Sequence, residues 1–347
     1  MVVINPMHET RKRDHIELAQ NAQTVRALVN QRFNYEPLLS GHPGEKSDIS
    51  INFLGKKLDA PLWISSMTGG VGEARHINQN LARLCREFNL GMGLGSCRSL
   101  LESNQYFEDF NLRPIIGPDL PLYANLGIAQ LELILRENKT HKISELCKKL
   151  QVDGLFIHIN PMQEWFQVEG DHFQQSPLET LTLFMSQFQK NEIKIIVKEV
   201  GQGMGPLSLK SLFELPIDAF ELAGFGGTNF SKLEVLRSKA LSQENYVDSR
   251  SPLFNVGHTP LEMIDFINAL GEKNPQIKNL PLIISGGIEN FLDGHYLRSR
   301  SNNPSVYGHA NKFLSFAEDY ELLKKFTDEQ ISGLKMAKSF LTLKEVL

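Results

Sequence analysis

The densest group of polar residues in the chain lies at residues 158–171, HINPMQEWFQVEGD, directly after a short apolar run. Four polar side chains follow that run on either side of a proline: His158, Asn160, Gln163 and Glu164. Glu164 and Glu169 offer carboxylate oxygens suited to Mg²⁺, which keeps several waters and bridges to phosphate oxygens. Acidic residues near the start of a helix are also common without a metal, because they complement the helix dipole.

A lysine, Lys198, interrupts the apolar run at residues 193–200, IKIIVKEV. Because burying an unpaired ammonium is costly, we expect Lys198 to meet an anion or a ligand dipole. An ion pair with Glu199 or another carboxylate is the alternative, but adjacent strand residues point to opposite faces, which disfavours Glu199. The anionic N1–C2=O edge of a reduced flavin would suit this lysine, with Asn125 and Thr68 as hydrogen-bond partners for the rest of the ring.

Glycines and basic residues in other segments are suited to phosphate. Gly286-Gly287 and Gly308 each follow an apolar run, where backbone N–H groups can approach a phosphate closely. Any single glycine pair could also be only a turn. Arg98 follows another run and Arg11-Lys12-Arg13 lie near the start of the chain, so these cations could hold a diphosphate. The RKR run could equally be a solvated charged surface.

The elements that must position these residues are eight short apolar runs separated by helical patterns. The runs lie at residues 61–67, 90–95, 121–126, 154–159, 193–200, 217–223, 281–285 and 304–308. Most are continuously apolar, as in parallel strands covered on both faces. The alternation predicts an α/β fold, a (β/α)₈ TIM barrel, with the polar run ends gathered at one mouth. An open doubly wound sheet is the alternative, but SSMTGG after the first run lacks the GxGxxG order.

Composition excludes several classes of protein. The 347 residues carry a net charge of −4, without the basic surplus of a nucleic-acid binder, and no apolar run is long enough to span a membrane. Three separated cysteines form neither a disulfide framework nor a zinc pattern, which favours a reducing cytoplasm. We expect a single domain over residues 1–347: an N-terminal cap (1–60), the barrel (61–313) and C-terminal helices (314–347).

Eight segments together resemble the type 2 isopentenyl-diphosphate isomerases, a family of FMN-dependent barrel enzymes. They are RKRDHI, SSMTGG, GLGSCR, ANLG, HINPMQE followed by QVEGD, IVKE, GFGGTN and SGGI, and they cover roughly residues 10–310 in the family's order. HINPMQE followed by EGD is the most specific of them. SGGI occurs in many flavin barrels.

The resemblance implies conversion of isopentenyl diphosphate to dimethylallyl diphosphate by reduced FMN acting as acid and base, with NADPH as reductant and Mg²⁺ holding the diphosphate. It also implies a homo-oligomer, a tetramer or octamer. Gln163 and Lys198 would be catalytic, and Glu164 would bind the metal. The implied FMN contacts are Ser66, Met67, Thr68, Ser96, Asn125, Lys198, Thr228, Gly286, Gly287, Gly308, His309 and Ala310. The implied substrate contacts are Arg11, Lys12, Ser96, Arg98, His158, Asn160 and Gln163.

The chain departs from the family pattern at several points. Cys97 replaces a usual Gln, Ala223 replaces Ser or Thr, VGHTP at residues 256–260 replaces WGIPT, and NNPS at residues 302–305 replaces LGAD. Two other functions therefore stay open. One is an FMN-dependent oxidoreductase of the hydroxy-acid oxidase type, which would need a His and an Arg such as His295, Arg298 or Arg300 near the last strands. The other is a ligand-binding barrel that has lost catalysis.

Overall fold

A computed structural model describes residues 6–44, 47–66, 69–72, 74–188, 193–242 and 249–344. Its strands are β1 (Phe33–Tyr35), β2 (Ile51–Phe53), β3 (Lys56–Leu58), β4 (Leu62–Ile64), β5 (Gly91–Gly93), β6 (Leu122–Gly127), β7 (Gly154–His158), β8 (Lys194–Lys198), β9 (Ala219–Glu221), β10 (Leu282–Ser285), β11 (Ser305–His309) and β12 (Leu341–Leu343). Its helices are α1 (Pro6–Leu18), α2 (Ala74–Phe88), α3 (Phe107–Phe110), α4 (Arg113–Ile116), α5 (Ile128–Arg136), α6 (His141–Leu150), α7 (Pro161–Phe166), α8 (Pro177–Gln187), α9 (Pro206–Leu212), α10 (Phe230–Ser242), α11 (Pro260–Lys273), α12 (Phe291–Arg300), α13 (Asn311–Leu314) and α14 (Tyr320–Phe340).

Strands β4 to β11 form a closed parallel barrel in chain order, and β11 pairs back onto β4. Each of the eight predicted runs overlaps one of these strands, and only β6 and β11 end one residue beyond their runs, so the TIM barrel prediction is confirmed. The strands are almost wholly buried because helices cover them outside and side chains fill them inside. Within the described residues, no helix is both long and apolar enough to cross a lipid bilayer.

The barrel interior is closed at its N-terminal end by an aromatic cluster and a hairpin. Trp63, Tyr123 and Phe156 pack in tilted and edge-to-face contacts, with ring centroids 5.8–6.4 Å apart. The antiparallel β2–β3 hairpin adds Phe53 and Leu58 to this cluster from below. The N-terminal segment therefore seals the bottom of the barrel, and the opposite end, where the strands finish, is left for a site.

The C-terminal segment returns to the N-terminal one. Helix α14 packs against α12 and α2, and β12 then pairs antiparallel with β1 from Phe33 to Tyr35. Helix α12 covers a stretch of sequence with little helical periodicity. Asn290 begins it by accepting hydrogen bonds from the backbone N–H groups of Leu292 and Asp293, at 2.9 and 3.3 Å.

Candidate active site

The inward-facing positions of the barrel change from apolar to polar along the strands. The lower positions are the apolar side chains Trp63, Tyr123, Phe156, Ile196, Ala219, Ile283 and Val306. Two residues further along each strand, the side chain points into the barrel again. Those positions, with the matching one on β5, are Ser65, Gly93, Asn125, His158, Lys198, Glu221, Ser285 and Gly308. We call these eight the mouth layer; none of them is a large apolar residue, so the layer is built for a polar ligand.

Lys198 of the mouth layer is only 8% exposed, and its ammonium donates to the backbone carbonyl of Glu199 at 2.8 Å. The Glu199 carboxylate does not pair with it. Instead that carboxylate accepts from the backbone N–H groups of Gly201, Gln202 and Gly203 at 2.6–2.9 Å. Burial raises the pKa of Glu199, and these N–H groups oppose the rise. Glu199 thus shapes the loop after β8, and the Lys198 ammonium keeps donors for a ligand.

His158 is held in one orientation by Asn125. The Asn125 amide nitrogen donates to the Leu94 carbonyl at 3.2 Å, so its amide oxygen faces Nδ1 of His158, 2.8 Å away. That oxygen can only accept, so Nδ1 carries the proton and Nε2 is free to accept. Burial, and then the charge of Lys198, lowers the pKa of His158 to about 3. His158 is therefore neutral near pH 7.

A buried carboxylate that sequence reasoning missed, Glu221, lies beside Lys198 in the strand register. One of its oxygens accepts from the Ser285 hydroxyl at 3.0 Å, and Ser285 in turn accepts from the Ala223 N–H at 3.0 Å. Its other oxygen is buried without a hydrogen-bond partner in the described structure. The signal was present in the sequence, because Glu221 interrupts an apolar run just as Lys198 does.

The loop after β7 presents its polar residues as a connected network. The Asn160 amide donates to Gln163 at 3.2 Å and to Glu164 at 2.9 Å. Gln163 donates to Glu234 of α10 at 3.0 Å, and Arg237 holds the other oxygen of Glu234 at 2.9 Å. Glu234 is the second residue missed, since nothing in the α10 sequence distinguishes it from a solvated helix face. The amide of Gln163 is thus oriented from both of its ends.

Glu164 is buried with both carboxylate oxygens already accepting hydrogen bonds, from Asn160 and from the backbone N–H of Asp171 at 2.7 Å. Each carboxylate oxygen has a second lone pair, so Glu164 can still bind a cation. Glu169, the other predicted oxygen ligand, is exposed and paired with Arg237 at 2.5 Å. Across the described chain no three acidic, His or Cys side chains form a metal site. The donor set fits Mg²⁺ held by one carboxylate with waters and phosphate oxygens, and no all-protein cage.

The cations predicted to hold a diphosphate are only partly assembled. Arg98 lies at the end of β5 and pairs with Asp171 at 2.5 Å, and a cavity of about 490 Å³ adjoins this pair. Arg11 and Lys12 lie exposed on α1, and no hydrogen bond or ion pair joins either to a described residue of the mouth. The structure therefore brings Arg98, His158, Asn160 and Gln163 to the mouth and leaves Arg11 and Lys12 apart from it.

The glycine loops after β9 and β10 pack directly against each other. Gly286 has φ +99°, and a Cβ there would lie 2.0 Å from the Gly224 carbonyl oxygen and 2.4 Å from its nitrogen. Only glycine allows this approach, which leaves backbone N–H groups uncovered by side chains at the rim. Thr228, Gly287 and Ser96 are exposed along the same rim. These loops fit the phosphate end of a nucleotide-like cofactor.

The remaining predicted FMN contacts divide into three kinds. The Ser66 hydroxyl and the neighbouring Ser65 hydroxyl are buried without partners among the described residues, as expected where a ligand would supply them. Gly308 lies beside them, and Ala310 follows at the rim. His309 differs, because its ring packs outside the barrel wall against Tyr307 and Phe313, so only its backbone can face the mouth. Met67 and Thr68 lie outside the described residues.

The His and Arg that a hydroxy-acid oxidase would need are not at the mouth. His295 and Arg298 lie on α12, and Arg298 donates to the carbonyl of Ser305, at the start of β11 and so at the bottom of the barrel. Arg300 pairs with Asp265 at 3.1 Å. The residues predicted for the oxidase alternative are therefore not brought together at the mouth.

Comparison with solved structures shows the barrel again in flavin enzymes. A flavocytochrome b2 variant with benzoylformate superposes with a TM-score of 0.59 at 14% identity, covering 89% of this chain and 75% of that one. The flavin-binding domain of baker's yeast flavocytochrome b2 gives 0.56 at 13%, over 88% and 71%. A lactate oxidase of Pediococcus acidilactici gives 0.57 at 12%, over 96% and 88%. At such identities the likeness shows the fold alone.

Sequence relatives are more specific. No protein-family model matches the chain. The isopentenyl-diphosphate delta-isomerase of Pelodictyon phaeoclathratiforme is 33% identical over 290 residues, which are 82% of this chain and 80% of that protein. The enzyme of the same name from Rickettsia rickettsii is 32% identical over 317 residues, 90% and 87%, and that of a Nostoc species 33% over 318 residues, 90% and 85%. On the identity to these relatives and the share of each chain that is matched, the chain belongs to the isopentenyl-diphosphate delta-isomerase family, and it is an isomerase.

Proposed function

We propose that this protein converts isopentenyl diphosphate to dimethylallyl diphosphate, with FMN at the mouth layer and Mg²⁺ at Glu164. The mouth layer carries the proposal: it is a closed ring of inward polar and small residues in which Ser65 and Glu221 have unpartnered oxygens, and the unpartnered hydroxyl of Ser66 lies next to it in the chain. Reduced FMN, when bound, supplies an electron-rich ring with nitrogens that act as acid and base, so no net oxidation is needed. NADPH is the reductant that we propose.

In this proposal the residues of this chain bind and orient the cofactor and the substrate. Lys198 would place a positive charge against the anionic edge of the flavin, and the glycine loops at Gly286-Gly287 would hold its phosphate. Asn160 and Glu234 fix the amide of Gln163, which orients the reacting end of the substrate and assists the proton transfer. Arg98 binds the diphosphate. To do so, its guanidinium must break the ion pair with Asp171 and donate to substrate oxygens instead. Arg11 and Lys12 would join them only if α1 approached a mouth, its own or that of another copy in a homo-oligomer.

Because His158 is neutral, substrate binding would have to change its protonation state. With Nδ1–H donating to Asn125, its Nε2 can only accept, and a diphosphate oxygen needs a donor. Substrate contact at Nε2 therefore requires a proton there, so bound diphosphate would raise the pKa of His158 from about 3. The proposed cellular location is the cytoplasm, where the reductant is available.

The test is isomerisation measured with FMN reduced by dithionite or NADPH, with and without Mg²⁺. We expect a yellow protein that bleaches on reduction and converts the substrate only when both flavin and metal are present. Lys198→Met should abolish turnover and weaken FMN binding. Lys194→Met is the matched control, since Lys194 lies on the same strand but at the hairpin end, where it donates to Leu54. A protein that takes up no FMN, or one that oxidises hydroxy acids without isomerising, would refute the proposal.

A further inference from the structure

A second cavity, of about 270 Å³, lies at the bottom of the barrel, far from the mouth layer. It is lined by Ile49, Ser50, Pro61, His295, Arg298, Ser299, Leu334 and Lys338. Helices α12 and α14 form its walls and the residue before β4 forms its floor, so we call it the α12–α14 cavity. Its polar lining holds two cations and a histidine, and no carboxylate among the described residues lines it.

Arg298 is the unusual member of this lining. Its Nε donates to the Ser305 carbonyl at 2.7 Å, which fixes the plane of the guanidinium. Within the described chain, neither terminal nitrogen makes a hydrogen bond, and no carboxylate lies within ion-pair distance. Burial lowers the pKa of Arg298 to about 10, and the neighbouring Tyr307 hydroxyl, itself buried without a partner, only weakly opposes this. A partly buried guanidinium without a counter-charge is costly to keep.

The charges around Arg298 do not supply that counter-charge. Lys338 lies across the cavity and donates to the backbone carbonyl of Asp48 at 2.8 Å. The Asp48 carboxylate, outside the lining, is bonded to Ser50 and partly balances Lys338. The Asp293 carboxylate forms an ion pair with Arg32 at 2.7 Å. His295 adds charge only when protonated, and burial followed by the charge of Arg298 lowers its pKa.

The cavity beside Arg98 differs from the α12–α14 cavity in the charges that line it. That larger cavity also holds several cations, but acidic side chains line it with them: Glu102, Glu132, Glu137 and Asp171. Its Arg98 and Lys142 are both engaged in ion pairs. The α12–α14 cavity has an excess of positive charge, and the apolar side chains Ile49, Pro61 and Leu334 line the rest of it.

We propose that the α12–α14 cavity is a binding site for a phosphate group, held by the free terminal nitrogens of Arg298 and by Lys338. A guanidinium can donate two parallel hydrogen bonds to two phosphate oxygens. The ammonium of Lys338 adds a second positive charge to balance the charge of the phosphate. The volume admits orthophosphate or the phosphate end of a small monoester, whose organic part would contact the apolar wall. This site is independent of the proposed substrate site at the mouth.

The test is calorimetric titration of the full-length protein with orthophosphate at constant ionic strength, and in parallel with phenyl phosphate. We expect saturable binding that Arg298→Met weakens at least tenfold and Lys338→Met at least threefold. Arg300→Met is the matched control on the same helix, because Arg300 already pairs with Asp265, and it should leave binding within twofold. Arg98→Met removes the cation assigned to the substrate diphosphate at the mouth and should leave the cavity's binding intact.

The outcomes separate the sources of the phosphate group. Tighter binding of phenyl phosphate would indicate a phosphorylated metabolite as the occupant, and tighter or equal binding of orthophosphate would indicate the free anion. If Arg298→Met does not fold, Arg298→Lys, which keeps the charge but loses the fork, and Lys338→Met give the answer. The proposal is refuted if Arg298 and Lys338 variants bind phosphate like wild type, or if Arg98→Met alone abolishes binding. Neither result depends on isomerase activity.

Discussion

Replacing Gly286 with alanine tests whether the two glycine loops form a rigid cradle. The substitution has two costs. A left-handed backbone at φ +99° costs an L-residue about 1–2 kcal/mol. The new Cβ would also lie 2.0 Å from the Gly224 carbonyl oxygen, and overpacking against atoms that cannot turn aside costs about 1–3 kcal/mol more. We therefore expect Gly286→Ala to lower the free energy of unfolding by about 2–5 kcal/mol.

The same clash should also damage cofactor binding. The loop can relieve it only by moving Gly286 away from Gly224, which separates the backbone N–H groups that we assign to the phosphate. The FMN dissociation constant, measured by quenching of flavin fluorescence, should rise at least tenfold. Gly117→Ala is the matched control: Gly117 has φ +87° but nothing within 4 Å of its would-be Cβ.

In Gly117→Ala we expect only the backbone cost of about 1–3 kcal/mol, measured by urea unfolding of the flavin-free protein, with FMN affinity unchanged. Equal losses of stability and equal FMN affinities in the two variants would show that the close approach of Gly286 to Gly224 has no energetic effect. A destabilised Gly286→Ala with wild-type FMN affinity would show that the phosphate binds elsewhere.

Three further predictions concern single side chains. Gln163→Leu should lower turnover more than about 100-fold while FMN occupancy stays near wild type; equal losses in both would make Gln163 structural. Glu164→Gln leaves one of two donors without an acceptor, so it should cost about 1–3 kcal/mol of stability and raise the Mg²⁺ concentration needed for activity; an unchanged Mg²⁺ curve would contradict the assignment. His309 is buried among aromatic rings, and burial lowers its pKa to about 4. As the pH falls below about 6.5, His309 is therefore protonated in the unfolded state before it is protonated in the folded one. The free energy of unfolding should fall by about 3 kcal/mol by pH 4. His309→Phe should flatten that loss in unfolding measured from pH 7 to 4.5, and an unchanged slope would refute the effect.

The candidate site was predictable in part because some of its residues contradict their local surroundings. Lys198 stands out in the sequence as a charge within an apolar strand, and its burial at the mouth follows from that pattern. Glu221 carries the same signal and was overlooked. Glu234 carries none, because its burial against Gln163 depends on where α10 crosses α7, and sequence spacing holds no information about that crossing.

The pattern of apolar runs was enough to predict the eight strands and their order, because continuous apolar runs between amphipathic helices have few folded alternatives to a closed parallel barrel. It also placed polar residues at the strand ends, since the side-chain period of two is fixed by strand geometry. Which of those side chains face inward, and which of them pair with each other, depends on the folded arrangement. His309 turned outward among aromatic rings, Arg98 was taken by Asp171, and Arg298 was left without an acidic partner at the far end of the barrel. These outcomes depend on contacts between segments distant in sequence, whose free energies are set by three-dimensional packing and burial, which a linear pattern does not encode.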